Sequence, residues 1–275
     1  MLLLSSFYIA IVSAQLRYPI QGAFKKKSAQ GMAIYEDTAY LMHDGGMCRV
    51  FDLKNGRVVR NFHFKSRSKY NHINNACFGR SVYGNNKVPL VYLSECMQRG
   101  RCFVEQIEGG SSRLVQTIEA FKNGKNWRMT NWVVDNDNGF LYGVTRNRKE
   151  TLDSVGNVVC HIVKFRIPSL EEGNKVAFSE KDLIDHFEVV FPNILQGCKI
   201  RKGKLYLLAG LMQTLSHRKD SKRAVLIVDL KKKKLMKTYD LTYTTTNEPE
   251  DMDFYKGKWL LYCGGEGGIY ELNIK

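Results

Sequence analysis

Apolar and polar residues alternate along this chain in short bursts, each closed by a Gly, Asn or Asp turn, and the bursts repeat. Stretches starting at Gln30, Gln196 and Glu250 read QGMAIYEDTAYLMHDG, QGCKIRKGKLYLLAGL and EDMDFYKGKWLLYCGG, and they overlay without a gap. The third place is apolar in each (Met32, Cys198, Met252), as is the fifth (Ile34, Ile200, Phe254), and a turn then leads into a second apolar run. Gln196 and Glu250 lie 54 residues apart and Gln30 and Gln196 lie 166 apart, about three such periods, so two weaker copies are expected in between. These are NNACFG followed by VPLVYLSEC, and TNWVVDNDNGFLYGVT, which makes five starts near 30, 75, 131, 196 and 250. The outer halves repeat as well: FDLKNGRVVRNF matches VDLKKKKLMKTY, with Asp52 on Asp229 and Leu53 on Leu230, each reading as two strands joined by a tight basic turn. A period of about 40 to 50 residues with several short strands per copy predicts an all-β, five-bladed propeller.

The fifth copy stops at GGIYELNIK, one strand short of a four-stranded blade. An open edge leaves backbone groups unpaired, so residues 15–24 are expected to supply the missing strand and close the ring. One short helical insertion is expected in blade three at SEKDLIDHF, where Ser179 and Asp182 form a capping pattern and Leu183, Ile184 and Phe187 share a face.

Residues 2–14, LLLSSFYIAIVSA, are apolar but too short to span a bilayer, and Val12-Ser13-Ala14 reads as a small-residue cleavage site. This predicts a signal peptide over 1–14, a propeller over 15–275, and a secreted or periplasmic product without membrane insertion; a buried first strand is the competing reading. The 275 residues include only five prolines and no low-complexity linker, so a single large core is expected. No cofactor is implied, since the seven cysteines lack metal spacing and no zinc motif is read. Cys96 and Cys102 flank a short loop and are candidates for a hairpin disulfide, while Cys77 and Cys198 occupy core places of the repeat.

The net charge of +15 is partly clustered at residues 25–27, 146–149, 218–223 and 231–234. A solvated basic surface explains this most simply; an anionic glycan is the next reading, and nucleic acid is not expected because no recognition module is present. The chain is expected to be a monomer.

Inner strands of a propeller line its axis, so equal places of the five copies should meet at one end of the channel. The first places carry Gln30, Asn75, Asn131, Gln196 and Glu250, with His72, Asn74, Trp127, Arg128, Asn193 and Glu248 just upstream and Trp132 adjoining. Amides and carboxylates can bond hydroxyl groups while an indole stacks on a sugar face, which makes the mouth a candidate site for a small molecule or glycan. The alternative is that the amides only tie blades together. Glu250 and His72 could act as acid and base. Glu248, Glu250, Asp251 and Asp253 are also calcium candidates, although strand alternation lets at most two converge.

The segment AQGMAIYEDTAYLMHDGGMCRVFDLKNGRVVR resembles the first blade of secreted propellers of the glutamine cyclotransferase and YncE-like kind. NHINNACFG and KVPLVYLSEC, with the rest of the chain, also resemble secreted proteins of gut Bacteroidetes, a likeness that brings no activity with it. Cyclotransferase activity would imply an acid at the channel mouth that protonates departing ammonia, a role open to Glu250; the last blade reads EPEDMDF where that family has an asparagine-glycine pattern. Two function classes therefore stand: a secreted propeller that binds a small molecule, glycan or peptide terminus, and a cyclotransferase, lyase or hydrolase using Glu250 and His72.

Overall fold

A computed structural model gives the fold and describes residues 9–11, 13–19, 28–96, 99–121, 128–151, 157–192, 194–210, 223–242, 244–245, 247–264 and 267–274. The described residues open with β1 (Ile9–Ile11) and β2 (Ala14–Pro19). Blade one follows as β3 (Ala29–Tyr35), β4 (Thr38–His43), β5 (Met47–Asp52) and β6 (Arg57–His63). Blade two is β7 (Ile73–Phe78), β8 (Val91–Glu95), β9 (Cys102–Glu108) and β10 (Ser111–Ala120). Blade three is β11 (Asn131–Asp135), β12 (Phe140–Thr151), β13 (Asn157–Arg166) and, after β14 (Lys175–Phe178), β15 (Asp185–Pro192). Blade four comprises β16 (Leu195–Arg201), β17 (Lys204–Ala209), β18 (Ala224–Asp229) and β19 (Lys234–Asp240). Blade five holds β20 (Pro249–Tyr255), β21 (Lys258–Cys263) and β22 (Gly268–Leu272). Each is an antiparallel meander whose first strand is innermost, so the five-bladed propeller expected from the repeat is the observed fold.

The repeated turns have local causes. Lys202 and Gly203, and Lys256 and Gly257, form two-residue hairpins with positive φ at both positions, the backbone that matches strand twist. Asp52 and Asp229, aligned in the sequence, do the same work: each carboxylate accepts backbone N–H groups of its outer turn, from Lys54 and Asn55 in one case and Lys232 in the other. Lysines 231–233 are therefore exposed turn residues, and Lys233 pairs with Asp185 at 2.6 Å. Of the basic stretch 218–223, Arg223 alone lies among the described residues; it is buried and donates to the carbonyls of Thr242 and Thr245.

Inner strands turn one edge toward the axis, where it has no sheet partner, and the backbone donors there must be met by side chains. Asp251 accepts from Met32 N at 2.8 Å and Ala76 N at 3.3 Å, Asn75 accepts from Cys198 N at 2.9 Å, and Ser94 accepts from Trp132 N at 2.7 Å. One layer further along, Asp253 accepts from Ile34 N at 2.8 Å and Phe254 N at 2.7 Å. The charge of Asp251 is met by Lys199, whose ammonium lies 2.8 and 2.9 Å from the two carboxylate oxygens and 3.1 Å from Asn75 Oδ1, all of it buried. Glycine at 197 is required here, because a Cβ would collide with the Asp251 carboxylate. These bonds overturn the calcium reading for Asp251 and Asp253, whose oxygens are occupied by protein donors.

The first strands cross between blades. β1 pairs parallel with β19 of blade four, and β2 pairs antiparallel with β22 as the outermost strand of blade five. Tyr18 of β2 reaches into blade one, where its ring meets Phe51 edge-on at 5.4 Å and its hydroxyl donates to Leu53 O at 2.6 Å. Cleavage after Ala14 would remove β1 and leave most of β2. Among the described residues, no helix is long and apolar enough to cross a membrane.

Two expectations need correction. Residues 179–187 do not form an amphipathic helix: Ser179 and Asp182 make the capping box, but it closes a single 3-10 turn, Glu180–Asp182, and Asp185 starts a strand. The cap is local chemistry, whereas Asp185–Pro192 has an eight-residue ladder to gain against β13. The same insertion adds β14 parallel to β10, extending blade two rather than blade three. The Cys96–Cys102 disulfide is also absent: the register sets Ser94 opposite Cys102, which is a buried free thiol.

Candidate functional site

Four of the five inner strands change register where they enter the channel: between Ala29 and Met32, Ile73 and Asn75, Leu195 and Cys198, and Pro249 and Asp251. A β-bulge releases a residue from the ladder and re-aims its side chain. The released residues are Gln30 with Gly31, Asn74, Gln196 with Gly197, and Glu250. Asn74, rather than Asn75, therefore holds the place of Gln30, Gln196 and Glu250 in blade two, a shift of one residue that the sequence overlay misses. β11 has no such shift, and Asn131 pairs regularly with Val144.

The re-aimed groups meet across blades. Asn74 Nδ2 donates to Asn131 Oδ1 at 3.2 Å and to Gln196 O at 3.0 Å; Asn131 Nδ2 donates to Gln196 O at 2.6 Å; Gln196 Nε2 donates to Glu248 Oε1 at 2.9 Å and Gly210 O at 2.9 Å. Asp44, in the turn after β4, bonds His72 Nδ1 at 2.7 Å. Both Glu248 and Asp44 lie near enough to Glu250 to oppose its ionisation. The polar groups thus run from blade two through three and four to five, and back to His72 by way of Asp44.

Glu250 is the chemical centre of this ring. Burial first, then the charges of Glu248, Asp44 and Asp251, push its carboxyl well above the ordinary carboxylate range. No described residue hydrogen-bonds the carboxyl, and Gln30 Oε1 is buried without a hydrogen-bond partner. Tyr262, Arg49 and His43 back the site between blades five and one, with Tyr262 Oη 3.4 Å from His43 Nε2.

No protein-family model matches this chain, and no curated protein sequence matches it. Among solved structures, the glutaminyl cyclase of Myxococcus xanthus superposes with a TM-score of 0.53 at 13% identity, over 97% of this chain and 98% of that one. The two share a fold. The resemblance to glutamine cyclotransferase-like propellers seen in the first blade accordingly holds across the whole architecture.

The other candidate residues distribute unevenly. Asn75 lies a layer below the mouth, where it bonds Trp132 O at 2.8 Å in addition to Cys198 and Lys199, so it is a cross-link between blades. Trp132 is fully buried, its indole donating to Gly100 O at 2.9 Å and its ring lying 6.0 Å from Phe165, so it belongs to the core and offers no stacking face. Arg128 is exposed beside Gly100. Trp127 and Asn193 lie outside the described residues. Asp44 was missed because its HDGG turn has no counterpart in the other copies; Lys199 was missed although a lysine on an inner strand, facing an Asp at the second place of another copy, is a readable signal.

Proposed function

We propose that this propeller binds a small polar molecule, a glycan unit or a peptide terminus at the mouth of its axial channel, with Gln30 and Glu250 as the groups that contact the ligand. The observation that carries this reading is Gln30 Oε1, buried without a hydrogen-bond partner, together with the Glu250 carboxyl, to which no described residue donates, beside a ring of satisfied groups. Leaving such a group unmet costs about 1–3 kcal/mol, which a ligand would return. Asn74, Asn131, Gln196 and Glu248 fix the wall, and His72 and Asp44 form its half-buried rim.

A second reading is favoured by the raised pKa of Glu250 together with the fold shared with a glutaminyl cyclase. A carboxyl whose pKa is raised holds its proton to higher pH and can deliver it to a leaving amine. In this reading the α-amine of an N-terminal glutamine attacks its side-chain amide carbon, the carbon–nitrogen bond of the amide breaks, Glu250 protonates the leaving nitrogen to give ammonia, and the proton lost by the α-amine returns the Glu250 carboxylate to its acid form. Peptides with N-terminal glutamine, followed by ammonia release and by calorimetric affinity, distinguish the two. In the enzymatic case Glu250→Gln keeps affinity within about threefold while turnover drops at least about 100-fold. Binding without ammonia release in the unmodified protein leaves the binding reading alone.

Glu250→Gln also has a signed effect on stability. The folded-state pKa is raised above the unfolded one, so the contribution of the neutral carboxyl is complete below the ordinary carboxylate range and is lost as pH rises through the folded value. The variant should melt with the unmodified protein near about pH 4 and increasingly above it toward about pH 8. Parallel melting temperatures across that range would mean that Glu250 ionises freely and cannot be the proton donor.

A further inference from the structure

We propose that His161, His186 and Glu188 form a binding site for a divalent first-row transition cation of the zinc type, on the outer half of blade three and separate from the channel mouth. β13 and β15 are antiparallel neighbours with His161 opposite Glu188 and Val163 opposite His186. Residues two apart on a strand share a face, so His186 and Glu188 project to the same side as His161. The face also carries Phe165, which stacks on Phe178 of β14 at 4.5 Å, so it is turned toward the sheet of blade two.

The donor atoms converge. His161 Nδ1 lies 3.2 Å from His186 Nε2 and 3.3 Å from Glu188 Oε1, and the last two are 4.0 Å apart. A circle through those three atoms has a radius of about 2.1 Å, close to a zinc–nitrogen or zinc–oxygen bond length, so the three donors are near enough to share one cation once the 4.0 Å pair closes toward tetrahedral spacing. A hydrogen-bonded imidazole pair would need only two of these atoms; the Glu188 carboxylate oxygen, 3.3 Å from His161 Nδ1, supplies the third donor that a cation site needs. Two imidazoles and one carboxylate select borderline ions such as zinc over calcium or magnesium, which prefer all-oxygen shells.

Burial fits an open coordination position. The His161 side chain is 5% exposed and anchors the site, while those of His186 and Glu188 are 27% and 53% exposed and face an approach from solvent. Three protein ligands leave the fourth position to water. The His-x-Glu pair at 186 to 188, whose third partner His161 is 25 residues away, is overlooked in a sequence reading that finds no zinc motif. The ion would also fasten β15, which reaches blade three only after the long excursion through β14.

Cobalt(II) serves as a coloured probe in place of zinc. The full-length protein, stripped with a chelator and titrated, should bind one cobalt per chain with visible d–d absorption and no thiolate charge-transfer band, and zinc should displace it. Both His186→Gln and Glu188→Gln, at partly exposed positions, should weaken binding by about 100-fold or more while the metal-free melting temperature stays put. Zinc should raise the melting temperature of the unmodified protein and of neither variant. Absence of saturable binding in the folded protein, a thiolate band, or unchanged affinity in both variants would overturn the site.

Discussion

Replacing Lys199 with methionine is expected to destabilise the propeller by about 3–5 kcal/mol, a fall of about 10 °C in melting temperature for a domain of this size. Methionine approximates the lysine stem, so packing loss is small. What remains is a carboxylate at the centre of the ring, fully buried and without its counter-ion. Burial already pushes Asp251 up to about 6, with Lys199 and backbone N–H groups pulling the other way. Once the ammonium is gone, Asp251 is raised further, and the penalty is fully present above its folded-state value. It diminishes as pH falls and the carboxyl takes up a proton. Melting curves of the variant and the unmodified protein should therefore draw together between about pH 8 and about pH 5. An equal deficit at both ends would point to lost packing instead of an unpaired charge. Asp251 is not replaceable in the same way, since it also satisfies backbone donors from blades one and two.

Deleting residues 14–19 should lower the melting temperature by about 5–10 °C or send the protein into aggregates. The deletion removes the ladder to β22, the Tyr18 contacts with Phe51 and Leu53, and the Arg17–Glu271 ion pair at 2.7 Å. The ion pair is partly exposed and contributes little. The larger loss is the opened edge of blade five together with the uncovered side of Phe51. Tyr18→Ala, which keeps the strand and cuts only the bridge to blade one, should produce a smaller part of the same effect. Differential scanning calorimetry of both variants tests whether this strand holds the ring together; an unchanged transition in the deletion would mean that the five blades close without it.

How much of this was legible beforehand differs from residue to residue. Met32, Cys198 and Met252 repeat because each follows a bulge and sits in an equivalent core position, and that regularity was enough to give the number of blades and their order. Asp52 and Asp229 align because both fasten the same outer turn. Trp132, on an inner strand without a bulge, simply turns into the core, whereas Asn75 was misassigned for a related reason. A bulge inserts one residue into a strand without changing its composition, so an overlay of letters slips by one place, and in a strand one place exchanges the two faces. The helix expected at 179–187 failed because its cap was read correctly and its continuation was not, since a ladder against β13 is a long-range gain that local pattern does not contain.

By itself, then, the sequence determined the all-β repeat, the five blades, the hairpin turns and the end of the channel at which polar residues collect, because these follow from periodicity and from turn chemistry within about ten residues. Only the tertiary structure decided which groups meet. Lys199 with Asp251, Asp44 with His72, and His161 with His186 and Glu188 are brought together by ring closure and strand register, which are cooperative properties of the whole barrel of blades. The raised pKa of Glu250 belongs to the same class: it comes from burial and from the charges of Glu248, Asp44 and Asp251, which only the fold brings around it.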